Sequence, residues 1–108
     1  EDIQFEADSS RLLPASLPAL EELRDFLASN QDVTVEIGGH TNGWAEANYA
    51  VTLSTARAKA VADYLLRKGI SRNQIRYKGY GREDPRDTNK TAAGRKRNQR
   101  VEIKILDM

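Results

Sequence analysis

The sequence contains no cysteine and only one histidine. The absence of cysteine excludes disulfide bonds, thiolate zinc sites and cysteine nucleophiles. With a single histidine, a metal site would need a cluster of carboxylates, and the sequence has no obvious one, so no metal or cofactor is expected. Charges nearly cancel: 17 Lys and Arg oppose 16 Asp and Glu, and the net charge of +1 gives no overall attraction to nucleic acid or to an anionic membrane.

No apolar run approaches the roughly 20 residues that a membrane-spanning helix needs. A length of 108 residues is typical of one domain and is enough to bury one modest hydrophobic core. We therefore expect a single domain over residues 1–108. The chain starts at Glu1 rather than at a methionine, which we interpret as a domain cut from a longer protein or a processed chain.

Hydrophobic periodicity in the first half predicts a strand, a helix and a second strand. Ile3 and Phe5 alternate with polar neighbours, which indicates a short first strand. Apolar side chains then recur at helical spacing over about residues 16–29. Residues 33–37 alternate strictly between apolar and polar, so we expect a strand with one buried face that ends at the following Gly-Gly pair.

A second helix is predicted over residues 53–68, where Ala60, Val61, Tyr64 and Leu65 form one apolar stripe. Ser54 is a suitable N-cap, and Gly69 is suited to end the helix.

Two further half-buried strands follow, around residues 75–77 and 101–105. A long polar connection over residues 79–98 separates them, with one helical turn near 92–96. The order is strand, helix, strand, helix, strand, strand. Because each strand has one apolar face, we predict an α+β, two-layer α/β sandwich in which helices cover one face of a mixed four-stranded sheet.

Two motifs carry a resemblance to a known family. Residues 39–42 are Gly-His-Thr-Asn, and residues 53–58 are Leu-Ser-Thr-Ala-Arg-Ala. Both are similar to the OmpA-like family, whose members carry Gly-His-Thr-Asp at a strand end and Leu-Ser-x-x-Arg-Ala at the next helix. The family's spacing of 15 residues between that Asp and that Arg is kept here (57 minus 42). Further similar segments cover nearly the whole chain: 64–65, 68–70, 79–81, Pro85, 89–91, 94–95 and 98–103.

The resemblance implies a non-catalytic module that binds peptidoglycan and anchors an envelope protein to the Gram-negative cell wall. In such domains the Asp and the Arg hold diaminopimelate of the peptide stem; Arg57 has the Arg position and Asn42 the Asp position. The resemblance also implies a periplasmic domain of an outer-membrane-associated protein, whose membrane anchor lies outside this fragment.

Arg57 is a credible carboxylate clamp on physical grounds as well. The predicted helix places it in the first turn, where unpaired N–H groups and the helix dipole favour an anion. A guanidinium can hold a carboxylate through two parallel hydrogen bonds. The alternative is a surface arginine paired with Asp63 or Glu46, and spacing alone does not separate the two. The resemblance favours the clamp.

Asn42 is the informative departure from the family, because an amide brings no charge to meet an ammonium group. Asn42-Gly43 can also be read as a simple turn dipeptide. Ala50 and Gln99 depart from the family as well. The alternative function is therefore an OmpA-like domain that has lost or altered wall binding and serves as a protein interaction module.

Further candidate residues surround these two positions. Trp44 and Tyr49 could line the pocket or contact the ligand; we expect Tyr49 to pack over the base of the loop, whereas the role of Trp44 stays open. The closing motif contributes Asn98 and Arg100. The complete candidate ligand-binding set is Thr41, Asn42, Gly43, Trp44, Tyr49, Arg57, Asn98 and Arg100.

His40 is expected to be a structural, hydrogen-bonded residue at the strand end. One basic cluster lacks the interleaved aromatics of a nucleic-acid platform, so we interpret it as a solvated or wall-facing surface. Its members are Lys90, Arg95, Lys96, Arg97 and Arg100. No pair of titratable residues has a spacing that suggests acid and base catalysis, and we expect no enzyme. The sequence does not indicate an oligomeric state.

Overall fold

The computed structural model describes residues 3–107. Within them the elements follow in the order α1 (Leu17–Ser29), β1 (Thr34–His40), α2 (Ala47–Arg67), β2 (Ile75–Gly81), α3 (Ala92–Asn98) and β3 (Arg100–Asp107). Short 3-10 turns precede α1 at Pro14–Ser16 and β2 at Arg72–Gln74. The predicted helix over 16–29, the later strands and the helical turn near 92–96 are therefore confirmed.

The sheet has the order β2-β1-β3, with β1 in the centre. β1 is parallel to β2 and antiparallel to β3. Parallel neighbours need a crossover connection, and α2 supplies it. The prediction of a mixed sheet is confirmed, but the prediction of four strands is wrong.

The missing strand is the one predicted at Ile3 and Phe5. Among the described residues, this segment makes only an isolated bridge between Phe5 and Leu12. Its backbone pairs with the residues just before α1, because Gln4 N donates to Ser16 Oγ at 2.6 Å and the Gln4 carbonyl accepts from Leu13 N at 2.9 Å. The segment therefore folds back on the start of α1 instead of joining the sheet.

The core lies between the sheet and the two long helices. Val35 and Ile37 of β1 are fully buried, and they belong to one cluster with Leu27 of α1 and with Val61 and Leu65 of α2. Each such side chain contributes about 1.5–3 kcal/mol on burial. α1 and α2 thus cover the same face of β1, which confirms the two-layer α+β sandwich.

Helix α2 begins at Ala47, six residues before the predicted start. Its N-cap is Glu46, whose carboxylate accepts hydrogen bonds from the backbone N–H groups of Asn48 and Tyr49. These bonds lower the pKa of Glu46. The prediction of Ser54 as N-cap is wrong: Ser54 is buried inside the helix. Gly69, in contrast, has φ +91° and follows the end of α2 as predicted.

Strand β1 does not end at its glycine pair but continues to His40. The glycines allow a close approach, because a Cβ on Gly39 would meet the backbone carbonyl of Ser54 in α2. A Cβ on Gly79 in β2 would meet Thr55 in the same way. This backbone-to-helix contact brings the loop after β1 beside α2.

Candidate ligand-binding site

Arg57 lies in the middle of α2, ten residues after the helix begins. The prediction that it sits in the first turn is wrong, so the helix dipole does not act on its ligand. Its half-buried guanidinium points to the N-terminal segment: Nε donates to the Ser9 carbonyl at 2.8 Å and Nη2 to the Glu6 carbonyl at 3.2 Å. The guanidinium carbon also lies 5.0 Å from the centre of the Phe5 ring.

The alternative of a surface ion pair for Arg57 is not observed. Asp63 pairs with Lys59 at 2.9 Å, and Glu46 caps α2. Burial lowers the pKa of Arg57, but a guanidinium stays charged in proteins. Arg57 is therefore a partly desolvated cation without a direct carboxylate partner among the described residues.

Asp8 is the residue of this site that the sequence did not reveal. Its carboxylate accepts a hydrogen bond from the Tyr49 hydroxyl at 3.2 Å, and its charge also acts on Arg57. Burial and the negative charge of Asp8 raise the pKa of Tyr49. Asp8 has φ +50°, a left-handed conformation that Asp tolerates better than most residues. The Asp-Ser-Ser sequence over 8–10 predicts a turn, but no local signal tells that the turn faces α2.

Tyr49 makes a contact that the sequence did not predict. It lies in the first turn of α2, is 44% exposed and reaches across to Asp8. Packing of its ring over the base of the loop after β1 stays a prediction. Its hydroxyl orients the Asp8 carboxylate beside Arg57.

An open cleft of about 1050 Å³ lies between the N-terminal segment, α1 and the start of β3. Its walls combine apolar and charged groups. Cations predominate, because Asp8 and Glu22 are the acidic residues among the lining side chains, whereas the basic ones are Arg57, Arg86, Lys96, Arg97 and Arg100. Arg86 and Arg100 pair with Glu102, and Arg97 pairs with Asp87, which offsets part of this positive charge. The cation of Arg57 near the carboxylate of Asp8 suits a zwitterionic ligand.

Arg100 lines this cleft, but its guanidinium is already engaged. Nε donates to Glu102 at 2.6 Å, Nη1 to the Asn98 carbonyl at 3.1 Å and Nη2 to the Asp84 carbonyl at 3.0 Å. The hydrogen bond from Arg100 lowers the pKa of Glu102. In this geometry Arg100 holds the loop before α3 in place and adds little free positive charge.

Asn98 is fully buried and organises the same loop. Its Oδ1 accepts from the backbone N–H groups of Arg86 and Asp87, and its Nδ2 donates to the Asp87 carbonyl and to Asn89 Oδ1. Because these four bonds use the capacity of the amide, Asn98 supports the site rather than facing the cleft.

Residues 41–44 form a separate group. Asn42 Oδ1 accepts from Trp44 N at 2.9 Å, and Gly43 N donates to Asn89 Oδ1 at 2.8 Å. Thr41 is buried, and its N–H donates to the Gly81 carbonyl at 2.8 Å. Asn42 therefore does form the turn that its sequence allows.

The candidate residues thus fall into two groups. Arg57, Arg100 and Asp8 line the cleft, and Tyr49 donates a hydrogen bond to Asp8. Thr41, Asn42, Gly43 and Trp44 belong to the loop that Asn89 ties to Asn98. Within residues 3–107 no hydrogen bond joins Asn42 to Arg57.

His40 is buried at the end of β1, with its ring stacked on Tyr80 at 5.0 Å and an interplanar angle of 3°. Its Nδ1 has no hydrogen-bond partner among the described residues, so the expectation of a hydrogen-bonded histidine is not met at this atom. Burial and then the charge of Arg100 lower the pKa of His40, which favours the neutral ring.

Across residues 3–107 we find no group of three or more His, Cys, Asp or Glu side chains placed to hold a metal ion. In the same range no helix combines the length and the apolar character needed to span a bilayer.

Comparison with known proteins links this architecture to one family. A family model for the OmpA family matches residues 4–99. The peptidoglycan-binding protein ArfA of Mycobacterium tuberculosis is 37% identical over 103 residues, which are 95% of this chain and 32% of ArfA. The peptidoglycan-associated lipoprotein of Pseudomonas aeruginosa is 39% identical over 101 residues, which are 93% of this chain and 59% of the lipoprotein. The chain thus spans about a third of ArfA and over half of the lipoprotein.

Solved structures with the same fold are also similar to this chain. The cell wall anchor of the T6SS from Pseudomonas aeruginosa has a TM-score of 0.82 and 30% identity, over 96% of this chain and 75% of the anchor. The peptidoglycan-associated lipoprotein from Burkholderia pseudomallei has a TM-score of 0.89 over 96% of this chain and 88% of that one, and at 23% identity it supports the fold alone. On the match over residues 4–99, this chain belongs to the OmpA family.

Proposed function

We propose that this chain binds peptidoglycan without catalysis and thereby anchors an envelope protein to the cell wall. The observation that carries the proposal is the placement of the Arg57 guanidinium and the Asp8 carboxylate at one cleft, with opposite charges available to a ligand. The names of the relatives, a peptidoglycan-binding protein and a peptidoglycan-associated lipoprotein, support it.

The proposed ligand group is the diaminopimelate of the peptide stem, whose free end carries a carboxylate and an ammonium. Arg57 has five N–H donors, of which the carbonyls of Ser9 and Glu6 take two. The remaining donors suffice for a paired contact with a carboxylate. Asp8 then accepts the ammonium, and the Tyr49 hydroxyl keeps the carboxylate of Asp8 in position.

In this proposal Asn42 contributes less to ligand binding than the resemblance to the family implies. Its Oδ1 already accepts from Trp44 N. Asn42 therefore shapes the loop beside the site and offers a neutral hydrogen bond at most. We place the anionic contribution at Asp8.

The module acts in the periplasm as part of an outer-membrane-associated protein, and residues 1–108 work as one unit. Matches such as ArfA are about three times longer than the aligned segment, so we assign the membrane attachment to a part of the protein outside this segment. The alternative of a protein interaction module is less well supported, because ArfA and the lipoprotein are named for peptidoglycan.

Binding to isolated sacculi and calorimetry with a diaminopimelate-containing tripeptide test the proposal. Arg57→Ala should weaken tripeptide binding by about tenfold or more, since loss of a hydrogen bond to a charged group costs about 1.5–3 kcal/mol. Arg57→Lys should fall in between, because an ammonium cannot form the paired contact.

Because Arg57 also holds the N-terminal segment, a second variant is needed. Asp8→Asn keeps an acceptor for Tyr49 and removes the charge, so it should weaken binding while thermal stability stays close to that of the parent. Arg24→Ala is the control, since Arg24 pairs with Asp25 on α1 and does not line the cleft. Unchanged affinity in both Arg57→Ala and Asp8→Asn would contradict the proposal.

A further inference from the structure

Trp44 is the only tryptophan in the chain, and it is 71% exposed. Large aromatic side chains usually bury most of their surface, so a ring left in water is an informative exception. The ring nevertheless contacts the protein, because the guanidinium carbon of Arg95 lies 3.4 Å from its centre. One face of the indole is therefore covered by a cation, while 71% of the residue stays exposed.

The loop around Trp44 is tied down. Trp44 N donates to Asn42 Oδ1, and Gly43 N donates to Asn89 Oδ1. Arg95 donates through Nη1 to the Asn89 carbonyl at 2.8 Å. The tryptophan and the arginine that covers it thus share one support, Asn89. A fixed ring that gains little burial gives up conformational entropy, and a ligand that stacks on it would bind without a further ordering cost.

We propose that Trp44 and Arg95 form a subsite for a sugar ring of the wall glycan. A pyranose ring presents a flat face of C–H groups, which are attracted to the negative face of an aromatic ring. Around Trp44 lie groups that can hydrogen-bond to hydroxyl and acetamido oxygens: the guanidinium of Arg95, and Asn42 Nδ2, which makes no hydrogen bond to the described part of the chain. This inference rests on the proposed wall binding, because the glycan carries the stem that Arg57 is proposed to hold.

A lipid surface fits these observations less well. A tryptophan that anchors a protein in a bilayer projects its ring among other apolar side chains. Here the ring lies against Arg95, and Asn42 and the exposed Asn48 and Glu46 are close along the chain. A flat, one-sided and polar-rimmed surface suits a sugar ring.

The test uses the fluorescence of Trp44, which as the sole tryptophan reports on this loop alone. Three soluble probes are titrated: the diaminopimelate tripeptide, the disaccharide-tripeptide and a tetramer of N-acetylglucosamine. We expect the disaccharide-tripeptide to bind about three- to tenfold more tightly than the tripeptide, as one aromatic stacking contact allows. Trp44→Ala, measured by calorimetry, should remove that factor and leave tripeptide affinity unchanged, whereas Trp44→Phe should keep part of it.

Arg57→Ala separates the two proposals. It should weaken both stem ligands and leave the response of Trp44 to the sugar tetramer intact. If no tripeptide binds but the tetramer does, the stem proposal fails and the sugar subsite stands. Equal affinity for tripeptide and disaccharide-tripeptide would overturn the subsite, as would an equal loss of both in Trp44→Ala. A fluorescence shift with phosphatidylglycerol vesicles and none with the sugar probes would also overturn it, in favour of a membrane contact.

Discussion

The resemblance to the family motif places Asn42 where an aspartate is expected, and its Oδ1 accepts a hydrogen bond from the backbone N–H of Trp44 at 2.9 Å. An aspartate can accept the same hydrogen bond, so the loop conformation does not require the amide. The substitution therefore changes mainly the charge at the edge of the site.

We predict that Asn42→Asp tightens binding of the diaminopimelate tripeptide, by up to about tenfold. Hydrogen bonds to charged groups contribute about 1.5–3 kcal/mol, against about 0.5–1.5 kcal/mol for neutral ones. Calorimetry measures the change, and Asn48→Asp is the matched control, because it adds the same charge to an exposed position of α2. An unchanged affinity would mean that the ammonium is held by Asp8 alone.

At the scale of secondary-structure elements, the close contact between β1 and α2 depends on Gly39. A Cβ there would meet the carbonyl of Ser54, a backbone atom of a helix that the core holds in place. At Gly38 the nearest atom to an added Cβ is Cε2 of Tyr80 at 3.1 Å, a side-chain atom that needs to shift by only a few tenths of an ångström, against 2.1 Å to the Ser54 carbonyl at Gly39. An added side chain would thus clash with helix backbone at Gly39 but with a side chain at Gly38.

Gly39→Ala should destabilise the protein by about 1–3 kcal/mol, the usual cost of overpacking. Gly38→Ala should cost less, because only a ring has to shift. Urea denaturation of both variants gives the difference in the free energy of unfolding. Equal losses would mean that α2 can move away from β1 and that the contact at Gly39 does not hold the loop carrying Asn42 in place.

At the scale of the whole molecule, stability should depend on pH through His40. Burial and Arg100 lower its pKa in the folded state, while Glu102, Asp84 and Glu36 oppose this shift. Below its ordinary pKa of about 6.5, the histidine takes up a proton in the unfolded chain more readily than in the folded one. The unfolded state then binds more protons, so the free energy of unfolding decreases as the pH falls.

The prediction is a loss of stability between about pH 7.5 and pH 5.5 that His40→Gln removes. Melting temperatures across this range provide the measurement, and the slope, rather than the absolute stability of the variant, is the readout. Glu46, Asp87 and Glu102 have lowered pKa values, so their contributions are lost only at more acidic pH, below about 4.5. Equal slopes for the parent and His40→Gln would contradict the role of the histidine.

Local sequence patterns were enough to predict the two long helices, the three strands of the sheet and the resemblance to the OmpA-like family. Apolar periodicity reports which face of a local segment is buried, so α1 and the alternating strands could be predicted. The start of α2 could not, because both Glu46 and Ser54 have side chains that can cap a helix. Only the tertiary structure showed that the Ser54 hydroxyl does not cap the helix and instead accepts a hydrogen bond from Gly81 N in β2 at 3.0 Å.

The candidate site divides in the same way. Arg57 and Asn42 could be selected as candidates from motifs, because the motifs and their spacing are visible in the sequence. Asp8 could not, since its contact with Tyr49 spans 41 residues, and the contact of Arg57 with Ser9 spans 48. Such contacts form only after α1, α2 and the sheet have packed together, because packing determines which loops meet. The local preference of a segment for helix, strand or turn does not specify which distant segment it will contact.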